Sequence, residues 1–431
     1  MGLLVVTYWW MAGGGLTDLG SWQAGLTSVG RLTGLLASNL LLVQVLLMAR
    51  LPLLERAFGQ DRLARLHRVV GFTSFDLMLA HVVTITYGYA AGRLDRTPAT
   101  LWDLTINYPG MLLAVAGTAC LVMVVATSVK AARGRVRYES WHLLHLYAYL
   151  GVGLALPHQL WTGQEFLATT AAAVYWWTLW GAAAAAALIW RVALPLWRSA
   201  RHGVRVTSVS PQAPGVWSVY LTGRKLNDLR TEPGQFFFWR FLGRTGWTRA
   251  HPYSLSAAPD GNSMRITVKA LGDDSSQLAD LRPGTRVLFE GPFGRLTPRA
   301  RSRRKVALIG AGVGITPLRA LAEGLDYEPG DVTLIQRFGD HPLFARELDV
   351  LIEERGLDVV WTGGKRRAPD SWIGDAAEGA DDASALRHWV PDIAERDVYV
   401  CGPVDWAESV RRSTRALGVP PENVHLEIFQ W

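Results

Sequence analysis

Apolar residues fall into two regimes along the chain. Through residues 1–198 they run in long blocks, such as Leu35–Ala49, Met111–Thr127 and Leu167–Trp190, separated by short polar stretches. From residue 199 they alternate with polar residues and give way to turns rich in Gly, Pro and charge. The first regime predicts helices of roughly 20 residues, the length that crosses a bilayer. Five spans are expected at Leu32–Leu51, Val69–Tyr89, Pro109–Val129, His142–Trp161 and Leu167–Val192. A shorter apolar segment, Leu3–Leu16, precedes them as a partial sixth.

In the second regime, strands are expected at Arg205–Val209, Val216–Thr222, Gln235–Phe241, Met264–Ala270 and Arg286–Glu290. Short alternating strands with polar turns suggest a small antiparallel β-barrel. Beyond a basic linker, Arg299–Lys305, apolar strands at Val306–Ile309, Val332–Gln336, Asp358–Trp361 and Asp397–Val400 alternate with helical stretches. That order predicts an α/β domain on a parallel sheet. The expected fold is multidomain: a six-helix, all-α transmembrane bundle (1–198), an antiparallel β-barrel (199–300) and a parallel-sheet α/β domain (301–431).

Loop charge sets an expected orientation. Arg50, Arg56, Arg62, Arg65 and Arg68 follow the second span, counting the partial one first, and Lys130, Arg133, Arg135 and Arg137 follow the fourth. The alternate loops hold Asp18, Glu165, and Arg93 and Arg96 offset by Asp95 and Asp103. Positive loops stay cytoplasmic. The half beginning near Arg198 is therefore expected in the cytoplasm, beneath a cell (inner) membrane whose lipid bilayer the helices cross. The net charge of +7 is explained by these loops, and the absence of a basic stripe with interleaved aromatics argues against nucleic-acid binding. The two cysteines, Cys120 and Cys401, lie in different regimes, so no disulfide is expected. No charged region precedes the first apolar stretch, so no cleavable signal peptide is expected. Many of the 19 tryptophans, among them Trp141, Trp161 and Trp197, sit at span ends, as in an interfacial aromatic belt.

Ionisable residues inside a span are costly and usually functional. The third span carries His67 and His81, and the fifth carries His142, His145 and His158, half of the ten histidines in the chain. His67 and His81 are 14 residues apart, nearly four turns, and so share a helix face. His145 and His158 are 13 apart, so the two ladders have similar axial spacings of roughly 21 and 19.5 Å. On parallel helices they form two rungs, His67 with His145 and His81 with His158. Imidazole is a standard axial ligand, so each rung suits one haem. A straight helix leaves His158 roughly 140° from the face of His145, and local unwinding at Pro157 is expected to swing it inward. His142 is assigned to the cytoplasmic edge. Hydrogen-bonded glue between helices is the competing role, and two matched pairs argue against it.

Four further motifs carry chemistry. His251-Pro252-Tyr253-Ser254 offers the ring, hydroxyl and backbone donors that an isoalloxazine edge requires. Lys269-Ala270-Leu271-Gly272-Asp273-Asp274-Ser275-Ser276 offers a cation, a glycine and hydroxyls ahead of a helical stretch, Ser276–Leu281, as a pyrophosphate requires. Gly310-Ala311-Gly312-Val313-Gly314-Ile315-Thr316-Pro317 follows a buried strand and opens a helix, although its G-x-G-x-G spacing is not the dehydrogenase G-x-G-x-x-G. Cys401-Gly402-Pro403 ends a strand, where such sheets bind ligands. Gln336-Arg337 ends the second strand without an acid, and Lys365, Arg366 and Arg367 add cations; arginine there accommodates a 2′-phosphate, which favours NADPH over NADH.

Together these spans, histidine pairs and the H-P-Y-S, G-x-G-x-G-x-T-P and C-G-P motifs resemble the NADPH oxidase and ferric reductase superfamily, from about residue 30 to 431. The resemblance implies electron transfer from cytoplasmic NAD(P)H through FAD and two b-type haems to an extracytoplasmic acceptor. Oxygen is the acceptor expected first, a ferric chelate the alternative, and a haem subunit feeding a partner protein the further alternative. It favours His145 over His142 as ligand. It implies that Tyr253 and Ser254 contact the flavin ring, with Pro252 between them and His251, assisted by Arg249, replacing an arginine of soluble relatives. Lys269, Gly272, Ser275 and Ser276 would hold the FAD diphosphate, and Gly310, Gly312, Gly314, Thr316 and Pro317 that of NAD(P)H. Cys401, with Gly402 and Pro403, would lie near the nicotinamide. Phe429, or alternatively Trp431, would cover the flavin.

Overall fold

In the computed structural model the chain forms two compact units, Met1–Ala193 and Leu194–Trp431. The structure describes residues 1–129, 138–243, 246–374 and 381–428. Lys130, Arg133, Arg135 and Arg137, and the terminal aromatics Phe429 and Trp431, lie outside the described residues.

The first unit is helical: α1 (Gly2–Ala12), α2 (Trp22–Met48), α3 (Pro52–Phe58), α4 (Gln60–Tyr89), α5 (Thr97–Asn107), α6 (Met111–Ser128), α7 (Tyr138–Trp161) and α8 (Thr170–Leu188). Side chains start the long helices: Ser21 Oγ accepts from Ala24 N ahead of α2, and Thr169 Oγ1 from Ala172 N ahead of α8. Among the described residues four helices are long and apolar enough to cross a membrane: Trp22–Met48, Arg62–Tyr89, Met111–Ser128 and Thr170–His202. Many of their apolar side chains point outward, as lipid-facing positions do; Val83, Leu112 and Leu188 are more than three-fifths exposed.

Two of the six expected spans, α1 and α7, fall outside those four. The 11-residue α1 reaches only about 16 Å and stops at Ala12, well short of the hydrocarbon thickness. The 24-residue α7 is long enough to cross, and its three histidines and Gln159 make it less apolar than α6 or α8. Two further differences follow from capping. Gly59, at φ +73, ends α3, and α4 starts at Gln60, ahead of the expected start at Val69, so one continuous helix carries both His67 and His81. Pro98 opens an unforeseen helix, α5, in the loop after α4.

The second unit opens with α9 (Leu194–His202) and six strands: β1 (Arg205–Ala213), β2 (Val216–Thr222), β3 (Phe236–Phe241), β4 (His251–Ser254), β5 (Ser263–Lys269) and β6 (Val287–Phe293). They form two three-stranded antiparallel sheets, β1-β2-β5 and β4-β3-β6. Their edges are joined by bridges, Arg205 with Arg286 and Leu255 with Ile266, and by backbone bonds: Val206 N to Thr285 O, Gly284 N to Val206 O and Val287 N to Val204 O beside β1 and β6, and Ser256 N to Arg265 O beside β5. Irregular pairing at Val206–Ser208 and Phe236–Phe238 breaks the ladders there. Phe237, Trp239, Leu221 and Ile266 fill the space between the sheets.

A five-stranded parallel sheet follows in the order β11-β10-β7-β8-β9, with β7 (Val306–Ala311), β8 (Val332–Arg337), β9 (Asp358–Thr362), β10 (Asp397–Gly402) and β11 (Val424–Ile428). Helices α10 (Ile315–Gly324), α11 (Ala345–Arg355), α12 (Asp382–Trp389) and α13 (Val404–Ala416) connect the strands. Strand order reverses between β7 and β10, so their C-terminal ends border the crevice in which such sheets bind ligands. Buried charges tie the parts of this unit together. Glu347 of α11 accepts from Arg265 of β5 and Arg319 of α10, and both arginines donate to the Ser256 carbonyl just beyond β4.

Candidate functional site

In the helical unit the expected rungs are met as geometry. The rings of His67 and His145 have centres 6.0 Å apart, and those of His81 and His158 6.5 Å apart. Every one of the four Nδ1 atoms is engaged. His67 Nδ1 contacts Gln44 O at 3.3 Å, His81 Nδ1 contacts Gly30 O at 2.7 Å, and His158 Nδ1 contacts Ala155 O at 2.7 Å. His145 Nδ1 lies 3.4 Å from Ser128 Oγ. A carbonyl can only accept, so three of the rings carry their proton on Nδ1 and leave Nε2 as a lone pair.

His81 fits because α2 presents glycine. A Cβ on Gly34 would lie 2.6 Å from His81 Nδ1, so no other residue leaves room for the ring. His142 is exposed on α7, and it is His145 that faces His67. The expected unwinding at Pro157 is not found: α7 stays helical through it, and the bond to Ala155 O turns the His158 ring.

Two imidazoles on one metal, each with a bond of about 2.0 Å, have ring centres roughly 6 Å apart. Both measured separations match that value, and second-shell acceptors on Nδ1 are the usual accompaniment of imidazole ligation. The donor set fits two bis-imidazole metal sites.

In the second unit, β4 pairs with β3 so that Ser254 opposes Phe236 and His251 opposes Trp239. His251 and Tyr253 stack with ring centres 6.1 Å apart on one face of the strand. Ser254 points to the other face and is buried, yet its Oγ has no hydrogen-bond partner among the described residues. A buried hydroxyl without a partner is costly, and it fits the polar edge of a bound flavin. Arg249 and Lys269 are exposed.

The expected pyrophosphate loop is more self-contained than its sequence suggests. Ser275 Oγ accepts from Leu271 N and Gly272 N, and Ser276 Oγ donates to Gly272 O. The expected helix at Ser276–Leu281 is replaced by one α-turn, Asp273–Ser276, and a 3-10 turn, Gln277–Asp280.

At the crevice, β7 runs into Gly312 at φ +54, with open space where a Cβ would point. A Cβ on Gly314 would lie 2.3 Å from the Cys401 carbonyl oxygen, so the loop touches the end of β10. Gly310 pairs with Cys401 across the two strands. Thr316 Oγ1 donates to Val313 O, and Thr316 and Pro317 are buried at the start of α10. Gly402 packs against the Trp406 ring, and Pro403 precedes α13.

The Cys401 thiol is fully buried in the core beside Leu308 and Ile315. Burial, and then the Glu427 carboxylate, push it well above the ordinary thiol range, so it stays neutral. The Arg337 guanidinium is buried at the end of β8 and donates to the carbonyls of Phe338 and Gly364. Arg366 donates to the Ser371 and Pro369 carbonyls.

Sequence reasoning missed Glu427. It sits opposite Cys401 in the β10–β11 register, and a Cβ on Gly294 would come within 3.4 Å of its carboxylate and 3.2 Å of the Phe236 ring. The available signal was the lone acid of Val424–Ile428, where polar His425 and Glu427 alternate with apolar residues.

The second unit is thus two small antiparallel sheets followed by a dinucleotide-type parallel sheet, and the first is a helical membrane unit. Residues 33–156 match the sequence model of the family described as ferric reductase like transmembrane component. The other half is similar to the ferredoxin reductase component of 3-ketosteroid-9-alpha-monooxygenase from Mycobacterium tuberculosis, 31% identical over 47% of this chain and 56% of the relative. It is also similar to a flavohemoprotein of Pseudomonas aeruginosa, 32% identical over 54% of this chain and 60% of that one. Among solved structures, the flavohem-like FAD/NAD binding domain of nitric oxide dioxygenase from Vibrio cholerae is 27% identical at a TM-score of 0.43, covering 53% of this chain and 99% of that domain. The chain spans a little more than half the length of these curated relatives. It joins a ferric-reductase-like transmembrane component to a ferredoxin-reductase-type module.

Proposed function

We propose that the protein is a transmembrane oxidoreductase that takes electrons from NAD(P)H in the cytoplasm, through FAD and two b-type haems, to an acceptor on the other side. The observation that carries this reading is the pair of ring separations, 6.0 and 6.5 Å, each matching two imidazoles on one metal. His67 and His145 would hold one haem, and His81 and His158 the other. When bound, FAD splits a two-electron donor into single-electron steps, and the haems carry those electrons onward.

The chain's own groups have definable tasks. Tyr253 and Ser254 would orient the flavin ring, with the Ser254 hydroxyl donating to its polar edge. Lys269, with Arg249 and His251, would neutralise the FAD phosphates, and Gly272 would allow close approach. Gly312 and Gly314, with the first turn of α10, would seat the NAD(P)H diphosphate. The end of β10, at Cys401, Gly402 and Pro403, would floor the nicotinamide site. The positive charge of Arg337, Lys365, Arg366 and Arg367 beyond β8 and β9 supports NADPH over NADH as a local field, since the Arg337 and Arg366 guanidinia already donate to backbone carbonyls. The cationic stretch from Arg50 to Arg68, through α3 and the start of α4, supports a cytoplasmic position for the second unit.

Oxygen is the acceptor proposed first, because a small diffusible acceptor needs no dedicated ligand cluster. A ferric chelate is the second reading, favoured by the match of residues 33–156 to a ferric-reductase-like component. Purified protein in a bilayer mimic, given NADPH, separates them. Oxygen consumption with superoxide formation supports the first, and ferrous iron trapped by ferrozine without oxygen supports the second. Turnover that requires an added protein would contradict both.

A further inference from the structure

The two histidine rungs differ in what holds their rings. In the His81–His158 rung both Nδ1 atoms donate to backbone carbonyls at 2.7 Å. In the His67–His145 rung the contacts are longer, 3.3 Å to Gln44 O and 3.4 Å to Ser128 Oγ. Among the four, the contact of His145 is made by a side chain.

The proton positions around Ser128 follow from counting donors. Ser128 Oγ lies 2.6 Å from Val124 O, which can only accept, so the single hydroxyl hydrogen is committed there. Trp141 Nε1, which can only donate, contacts the same oxygen at 3.1 Å. One lone pair remains, and His145 Nδ1 must be the donor to it. Trp141 also packs on the His145 ring, with centres 4.9 Å apart. This tryptophan, read from sequence as part of an interfacial belt, is therefore in the shell of an imidazole.

We propose that Ser128 is the positioning and tuning residue of the His67–His145 site, acting through His145 Nδ1, with Trp141 moderating its strength as an acceptor. The inference rests on the bis-histidine haem reading above. A stronger acceptor on Nδ1–H makes an imidazole a more electron-rich ligand and favours the oxidised metal. The short carbonyl bonds of the His81–His158 rung therefore make its site the lower in potential. The shared hydroxyl of Ser128 makes the His67–His145 site the higher. Ser128→Ala removes the acceptor and raises the upper midpoint further. Trp141→Phe keeps an aromatic ring on His145 but frees a lone pair on Ser128, and so lowers it. Ser128→Thr restores the hydroxyl.

The test is potentiometric titration of full-length protein in detergent, followed in the Soret band and by low-temperature electron paramagnetic resonance. Ser128→Ala and Trp141→Phe are expected to move one of two midpoints in opposite directions, with a change in the g-values of that haem alone. Ser128→Thr should return both to the native values. Two haems with both midpoints and g-values unmoved in Ser128→Ala would overturn the role of Ser128 while leaving the haem reading intact. Shifts of the same sign in Ser128→Ala and Trp141→Phe would overturn the sharing of the hydroxyl. Should Ser128→Ala fail to assemble, the downward shift in Trp141→Phe decides alone, and its absence counts against the proposal. Native protein without a Soret band would overturn the haem reading itself and this inference with it.

Discussion

The imidazoles of His81 and His158 reach across from α4 and α7 to lie with ring centres 6.5 Å apart at a mutual angle of 41°. That spacing is too wide for a direct hydrogen bond between ring nitrogens facing squarely and suits one shared metal. His81→Ala should therefore remove one of the two haems, halving the haem measured per chain as the pyridine haemochrome. Flavin reduction by NADPH should continue at its native rate, because nothing in the second unit is altered. In contrast, His142→Ala should retain both haems, since His145 rather than the exposed His142 faces His67.

Ser254 gives a test of the flavin site. Its buried hydroxyl lacks a hydrogen-bond partner among the described residues, which is costly unless a ligand satisfies it. Ser254→Ala should weaken FAD retention or slow flavin reduction roughly tenfold, the worth of about 1.4 kcal/mol in one hydrogen bond. The same change should raise or leave unaltered the melting temperature of the FAD-stripped protein. A stability loss without FAD would show that the hydroxyl serves the fold instead.

How much of this was legible in the sequence depended on the range of the interaction. The histidine ladders were readable because helical spacing fixes which residues share a face, and G-x-G-x-G-x-T-P was readable because its glycines act within one turn. Pairings between distant segments were not. Periodicity finds β1, β2, β3, β5 and β6, but it misses the four-residue β4 and cannot give the order in which the strands pair. Glu427 meets Cys401 only through the register of β10 with β11, and Trp141 meets Ser128 only because α6 and α7 pack together. The serines at 275 and 276 misled in the opposite sense, since local bonds to Gly272 take up groups that had been expected to serve a ligand.

Gly314 should tolerate no side chain. Its missing Cβ is 2.3 Å from the Cys401 carbonyl, and backbone cannot swing aside as a side chain can. Gly314→Ala should part the loop from β10, at a cost of roughly 1–3 kcal/mol from overpacking. Its KM for NAD(P)H should rise several-fold or more, while haem content stays native. Gly312→Ala, which faces open space but holds φ +54, should cost less stability.

Asp397 anchors the start of β10. Fully buried, it accepts from the backbone of Ser302 and Arg303, from Asn423 Nδ2, and from His425 Nε2 at 3.1 Å. Burial works against its charge, but these bonds prevail and hold the carboxyl below the usual range. A carboxylate with a depressed folded-state pKa stabilises fully above its unfolded value of about 3.9, and that contribution is lost as pH falls through the lower folded value. Asp397→Ala should cost roughly 3 kcal/mol at neutral pH by leaving buried donors without a partner. Denaturant titrations should find that difference shrinking below about pH 4.

The most direct test of the central claim is the ratio of haem to FAD in the purified native protein, taken from the pyridine haemochrome and from released flavin fluorescence. Two six-coordinate low-spin haems per FAD are expected, both reduced when NADPH is added without oxygen. A single haem, a high-spin spectrum showing an open axial position, or a protein without Soret absorbance would contradict the account.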